Sequence, residues 1–126
     1  MKQKILIAGS RYFTDYDVAK AYIDHCLSNM EDTSSFILLS GGCRGADRLG
    51  ERYAEEHGWE IRHFLPDWER YGRSAGPRRN QAMVEEADYV ICFWDGGRGT
   101  KSTITYAERL QKPLRIKRLP PPSNTP

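Results

Sequence analysis

The sequence predicts a three-layer α/β domain, Rossmann-like, with a five-stranded, mainly parallel sheet in the order 3-2-1-4-5 and helices on both faces. Three observations carry this. Apolar runs alternate with stretches of helical period, giving βαβαβαβαβ. The runs at Lys4–Ala8 (KILIA), Phe36–Leu39 (FILL) and Tyr89–Phe93 (YVICF) are continuously apolar, as strands buried on both faces must be. Right-handed crossovers then make a doubly wound sheet the economical arrangement.

The elements follow in order. Lys4–Ala8 is the first strand and ends in Gly9-Ser10. Asp15–Met30 carries Val18, Tyr22, Cys26, Leu27 and Met30 at helical spacing, with Thr14 before it and acids in its first turn. Phe36–Leu39 is the second strand, closed by Ser40-Gly41-Gly42. Ala46, Leu49, Tyr53 and Ala54 mark the second helix, stopped by Gly58. Glu60–Leu65 is a mixed third strand and Pro66–Ala75 a loop. Pro77 opens the third helix, with Met83, Val84 and Ala87 on one face. Tyr89–Phe93 is the fourth strand. After Gly96–Gly99 comes the fourth helix, with Ile104, Ala107 and Leu110. Leu114–Leu119 alternates apolar and basic, as an edge strand does. Residues 1–119 thus form one domain, and 120–126 a Pro-rich disordered tail.

Composition narrows the function. A chain of 126 residues has room for one ordinary domain. No apolar run approaches the ~20 residues that span a bilayer, and the apolar start is too short for a signal peptide, so the expected compartment is the cytoplasm and no membrane partner is expected. A net charge of +2 gives no general field for nucleic acid, so an anion site must come from local clustering. Cys26, Cys43 and Cys92 fit no zinc module; they are expected to be reduced, and no metal site is expected.

In doubly wound sheets ligands bind beyond the carboxyl ends of the strands, where the order reverses. That places the crevice between the loops after strands one and four. The strand-end loops hold Gly9, Ser10 and Arg11; Gly41, Gly42, Arg44, Gly45 and Asp47; and Asp95, Gly96, Gly97, Gly99, Thr100 and Ser102. Glycines let backbone N–H groups approach a ligand, and helix N-termini aim them at an anion. The cations reinforce this, because Lys or Arg is mildly unfavourable at a helix N-terminus. Arg44 and Arg48, Arg78 and Arg79, and Arg98 and Lys101 nevertheless flank three of the four helix starts. A shared phosphate-bearing ligand explains the pattern.

Other chemistries find no motif. The sequence lacks the P-loop, the dinucleotide fingerprint after strand one and the GxSxG nucleophile elbow. His25, His57 and His63 fall on helix one, at the end of helix two and on strand three, so no Ser/His or Cys/His arrangement is visible. Tyr12, Phe13, Trp68, Tyr71 and Trp94 are the aromatics that could stack on a base.

These residues, ILIAGSR, LLSGGCRGAD, GPRRNQAM and VICFWDGGRGT, resemble the SLOG superfamily of Rossmann-like domains, which joins the LOG and DprA/Smf proteins, and within it the YspA/YpsA-related branch. The resemblance spans about residues 3–119 and implies a pocket for nucleotides or nucleotide-derived ligands. LOG enzymes release the base from nucleoside 5′-monophosphates, using a PGGxGTxxE motif. Gly96–Thr100 matches its GGxGT core, Asp95 stands at the proline, and Thr103 stands at the catalytic glutamate. Arg79 and Met83 match the arginine and methionine of the LOG R-K-x-x-M motif, and Asn80 replaces its lysine. Glycosidic hydrolysis needs a carboxylate near the forming cation. The matching position has none, leaving Asp47 and Asp95 as candidate catalytic groups.

The leading expectation is a nucleotide-binding domain acting as sensor, carrier or sink, with a nucleotide or ADP-ribose-like ligand and no required cofactor. Gly42, Arg44 and Gly45 with Gly97, Gly99 and Thr100 would hold phosphate. Arg79 would pair with it. Ser10, Arg11 and Asp47 would meet ribose or base. Arg78, Asn80 and Ser102 complete the expected site. The alternatives are a LOG-type phosphoribohydrolase and DprA-like nucleic-acid binding through Arg70, Arg73, Arg78 and Arg79. Relatives imply a homodimer.

Overall fold

The computed structural model describes residues 2–30 and 35–122. Five parallel strands, β1 (Lys4–Gly9), β2 (Ile37–Ser40), β3 (Glu60–His63), β4 (Tyr89–Trp94) and β5 (Leu114–Arg118), lie in the order β3-β2-β1-β4-β5. The helices are α1 (Tyr16–Leu27), α2 (Ala46–Glu56), a one-turn α3 (Trp68–Tyr71), α4 (Ala75–Glu86) and α5 (Arg98–Arg109). The expected architecture and strand order are present. No helix among the described residues is long and apolar enough to cross a membrane. Of the tail expected at 120–126, residues 123–126 lie outside the described residues.

The period of two along β1 splits the core. Ile5 and Ile7 face α1 and α2 and pack with Leu38, Ile91 and Phe93. Leu6 and Ala8 face α4 and α5 and pack with Leu39, Val90 and Cys92. Full burial of each large aliphatic side chain is worth about 1.5–3 kcal/mol. Both faces of β1 and β4 are therefore fixed, and with them the loops that leave their carboxyl ends.

Three local expectations are corrected. The α1 cap is Asp15, not Thr14: its carboxylate accepts from the Val18 N–H at 3.2 Å. The segment expected to be a loop at 66–75 contains α3, capped by Asp67 on the Arg70 N–H at 3.1 Å, and a 3₁₀ turn at Gly72–Ser74. Pro77 is the third residue of α4 rather than its opening one. Proline is tolerated there because N–H groups of the first turn have no intrahelical acceptor. Arg78 and Arg79 consequently sit in the second turn, where the helix-end field has faded.

Candidate functional site

The strand order reverses between β1 and β4, and their register brings Gly9 opposite Phe93. A Cβ at Gly9 would lie 2.3 Å from the Phe93 carbonyl oxygen, so only glycine lets the two strand ends approach so closely. Just beyond, Ser10 Oγ donates to Asp95 Oδ2 at 2.5 Å and accepts from the Tyr12 N–H at 3.1 Å. Asp95 Oδ1 accepts from the Gly97 N–H at 3.0 Å. The first and fourth loops are thereby latched together.

A cavity of about 220 Å³ opens above this latch. It is lined by Gly9, Ser10, Arg11, Tyr12 and Asp95 on one side and by Gly97, Arg98, Gly99 and Thr100 of α5 on the other. The N–H groups of Arg98, Gly99 and Thr100 precede the first intrahelical bond, which runs from Lys101 N–H to the Gly97 carbonyl at 3.1 Å. Arg11 and Arg98 have no carboxylate partner among the described residues, and the Thr100 hydroxyl has no hydrogen-bond partner among them. A deeper annex of about 70 Å³ shares Gly9, Arg11, Gly99 and Thr100 and reaches Asp47, Arg79 and Asn80.

Asp47 is the buried charge of the annex, 6% exposed. Burial pushes its carboxyl up to about 6, against the opposing pull of the Cys43 N–H at 3.1 Å and the nearby Arg79. Glu51, one turn on along α2 and also buried, raises it further. Glu51 in turn accepts from Ser40 Oγ at 2.7 Å, and His63 Nε2 lies 3.2 Å from the same oxygen. The carboxylate sits between serine and histidine, so the cluster lacks the Ser–His contact that would activate a nucleophile.

Arg79 spans from α4 to the loop after β2. Its Nη1 donates to the carbonyls of Gly41 at 3.0 Å and Phe64 at 3.2 Å, its Nε donates to Asn80 Oδ1 at 2.9 Å, and its Nη2 lies 3.9 Å from Cys43 Sγ. Four of its five N–H groups are thus engaged. Asn80 continues the chain to α5, donating to the Gly99 carbonyl at 3.4 Å.

The loop after β2 is also internally committed. Gly42 N–H donates to Ser40 Oγ, Cys43 N–H to Asp47, and Ala46 N–H to the Ser10 carbonyl at 3.0 Å. Gly45 has φ +82°, and a Cβ there would lie 2.3 Å from the Ser10 carbonyl oxygen. Its glycine seats one loop on another.

The cleft and annex therefore bring together Gly9, Ser10, Arg11, Asp47, Arg79, Asn80, Asp95, Gly97, Gly99 and Thr100. Gly41, Gly42, Arg44, Gly45, Gly96 and Ser102 do not line either one. Arg78 lies over the Tyr71 ring, 4.3 Å from its centroid, and lines a separate depression with Leu65 and Pro66. Beyond the residues expected to form the site, the cleft takes in Tyr12, expected only as an aromatic that could stack, and Arg98, expected only as a helix-start cation, and the annex adds Ala8, Cys43, Met83 and Thr103. Arg98 is marked by its place at a helix start, and Met83 and Thr103 by their places in the two motifs of the resemblance; Ala8 and Cys43 carry no such signal.

A family model for the YspA, cpYpsA-related SLOG family (YAcAr) matches residues 3–71. The Gene 61 protein of Mycobacterium phage D29 is 29% identical over 121 residues, spanning 89% of this chain and 94% of its own length. The X-ray structure of TM1055 is similar in fold, with a TM-score of 0.63 and 21% identity over 90% of this chain and 72% of that one.

Proposed function

Because the chain belongs to the YspA, cpYpsA-related SLOG family, we propose that it binds a nucleotide or nucleotide-derived ligand through a phosphate held at the N-terminus of α5. The observation that carries this is the set of unpartnered groups around the cleft: Arg11, Arg98, the Thr100 hydroxyl and the leading N–H groups of α5. A helix start, two guanidinium groups and a hydroxyl facing one cavity form an anion site. The loop after β2 contributes less than its glycines suggest, since its N–H groups at 42, 43 and 46 serve the protein itself. Arg79 shapes the annex and holds that loop. Asp47 repels phosphate when ionised, so the annex suits the hydroxyl or amino donors of a ribose or base.

A LOG-type hydrolase is the second reading. One observation favours it: Asp47 is pushed up to about 6, within the range useful for proton transfer near neutral pH. A thermal-shift panel of nucleoside mono-, di- and triphosphates, ADP-ribose and the parent nucleosides tests both. Stabilisation by phosphorylated ligands recovered intact supports binding alone. Release of free base establishes the hydrolase, and no stabilisation by any phosphorylated member overturns the proposal.

A further inference from the structure

On the other side of the Ser10–Asp95 latch lies a larger cavity of about 420 Å³, within the 300–1,000 Å³ typical of small-molecule sites. Residues from opposite ends of the chain form it. Phe13 and Val18 come from the first loop and α1, and Lys117, Arg118, Leu119 and Pro120 come from β5 and the segment after it. Adjacency of β1, β4 and β5 brings them together.

Its charges are unequally committed. Asp15 is occupied as the α1 cap, and Asp95 accepts from Ser10 Oγ and the Gly97 N–H. Lys117 and Arg118 have no carboxylate partner among the described residues. They lie over ring faces instead, on opposite faces of the sheet: Lys117 at 5.9 Å from the Tyr22 centroid on the face that holds Phe13 and Leu119, and Arg118 at 4.5 Å from that of Trp94 on the other. An aromatic face leaves most of a cation's hydrogen-bonding capacity unused. The walls between are apolar: Phe13, itself stacked on Phe93 at 5.0 Å, with Val18 and Leu119.

We propose that this cavity is a second ligand site, which takes a small organic anion with a flat aromatic body. The rings would lie against Phe13, Val18 and Leu119, and the anionic group would meet Lys117, the cation on the same face of the sheet. The inference does not rest on the phosphate reading of the α5 cleft.

The probe is 2-naphthoate, with 2-naphthalenemethanol as its neutral counterpart, titrated into the full chain and followed by backbone amide NMR. Saturable shifts are expected at Phe13, Val18 and Leu119. Affinity should fall about tenfold for the alcohol, and by a similar factor for naphthoate in the Lys117→Gln variant. Val18→Trp, at a partly exposed helical position, should fill the cavity and block naphthoate while leaving the amide spectrum folded. Both variants should keep nucleoside-monophosphate affinity within about twofold. Absence of saturable shifts at millimolar naphthoate would overturn the proposal. So would equal affinity for the alcohol, or naphthoate binding unchanged in both variants. Naphthoate binding without nucleotide binding would leave this site standing and remove the α5 reading alone.

Discussion

Ser10 and Asp95, 85 positions apart in sequence, meet in a 2.5 Å hydrogen bond that joins the ends of the two central strands. The bond forms a partition, with the α5 cleft on one side and the larger aromatic-walled cavity on the other; Ser10, Tyr12 and Asp95 line both. Removing the hydroxyl leaves the Tyr12 N–H and one Asp95 oxygen without their partner. Ser10→Ala should cost about 1–2 kcal/mol in urea unfolding. It should also alter ligand affinity in the α5 cleft, measured by calorimetry.

Gly99→Asp separates helix stability from phosphate binding, because the two respond with opposite sign. A carboxylate near the start of α5 favours the helix by about 0.3–1 kcal/mol, and a Cβ at Gly99 meets open space. The same charge repels a bound phosphate. Thermal stability should hold or rise while nucleotide affinity falls at least about tenfold. Parallel calorimetric and thermal measurements on this variant check both signs.

Arg79→Ala is expected to loosen the protein as well as its site. The carbonyls of Gly41 and Phe64 lose their donor, and Asp47 loses its nearest cation. The expected loss is about 2–4 kcal/mol by denaturant unfolding. Arg79→Lys keeps the charge but not the fork geometry, and should fall between the two.

Asp47 gives a pH signature. Its folded pKa, about 6, lies above the ordinary 3.8, so the folded state holds the proton more tightly than the unfolded one. Its contribution to stability is therefore greatest below pH 3.8 and is lost as pH rises to about 6. Asp47→Asn removes that loss. Subtracting the wild-type stability from that of the variant should give a difference that grows between pH 4 and pH 6, reaching about 1–3 kcal/mol near neutrality. A difference that is flat with pH would remove burial as the cause of the shift.

Gly45 and Gly96, both loop glycines with positive φ, should differ sharply. Gly45→Ala drives a Cβ into the Ser10 carbonyl, whereas at Gly96, φ +99°, nothing lies within 4 Å. Gly96→Ala should cost about 1 kcal/mol, from backbone conformation alone. Gly45→Ala should cost several times more, since neither loop can retreat without opening the α2 start. Equilibrium unfolding of the two variants makes the comparison.

The strands were readable because β1, β2 and β4 are buried on both faces and must be apolar throughout. The cleft was readable because a strand reversal fixes where loops collect. What the sequence could not reveal is what each loop amide faces. Gly42 and Gly45 have the same local pattern as a phosphate loop, yet the N–H groups of Gly42, Cys43 and Ala46 end on Ser40, Asp47 and Ser10. Pro77 misplaced a helix start because proline marks the first turn, not the first residue. The larger cavity was invisible for a different reason: Phe13 and Val18 meet Lys117 and Leu119 only through sheet adjacency.

The most direct test is a backbone amide NMR titration with nucleoside 5′-monophosphates and, in parallel, the matching nucleosides. Phosphate capture at the start of α5 predicts saturable shifts that are largest at Arg98, Gly99 and Thr100, with nucleosides binding at least about tenfold more weakly. Equal binding of nucleosides, or largest shifts away from the α5 start, would contradict it.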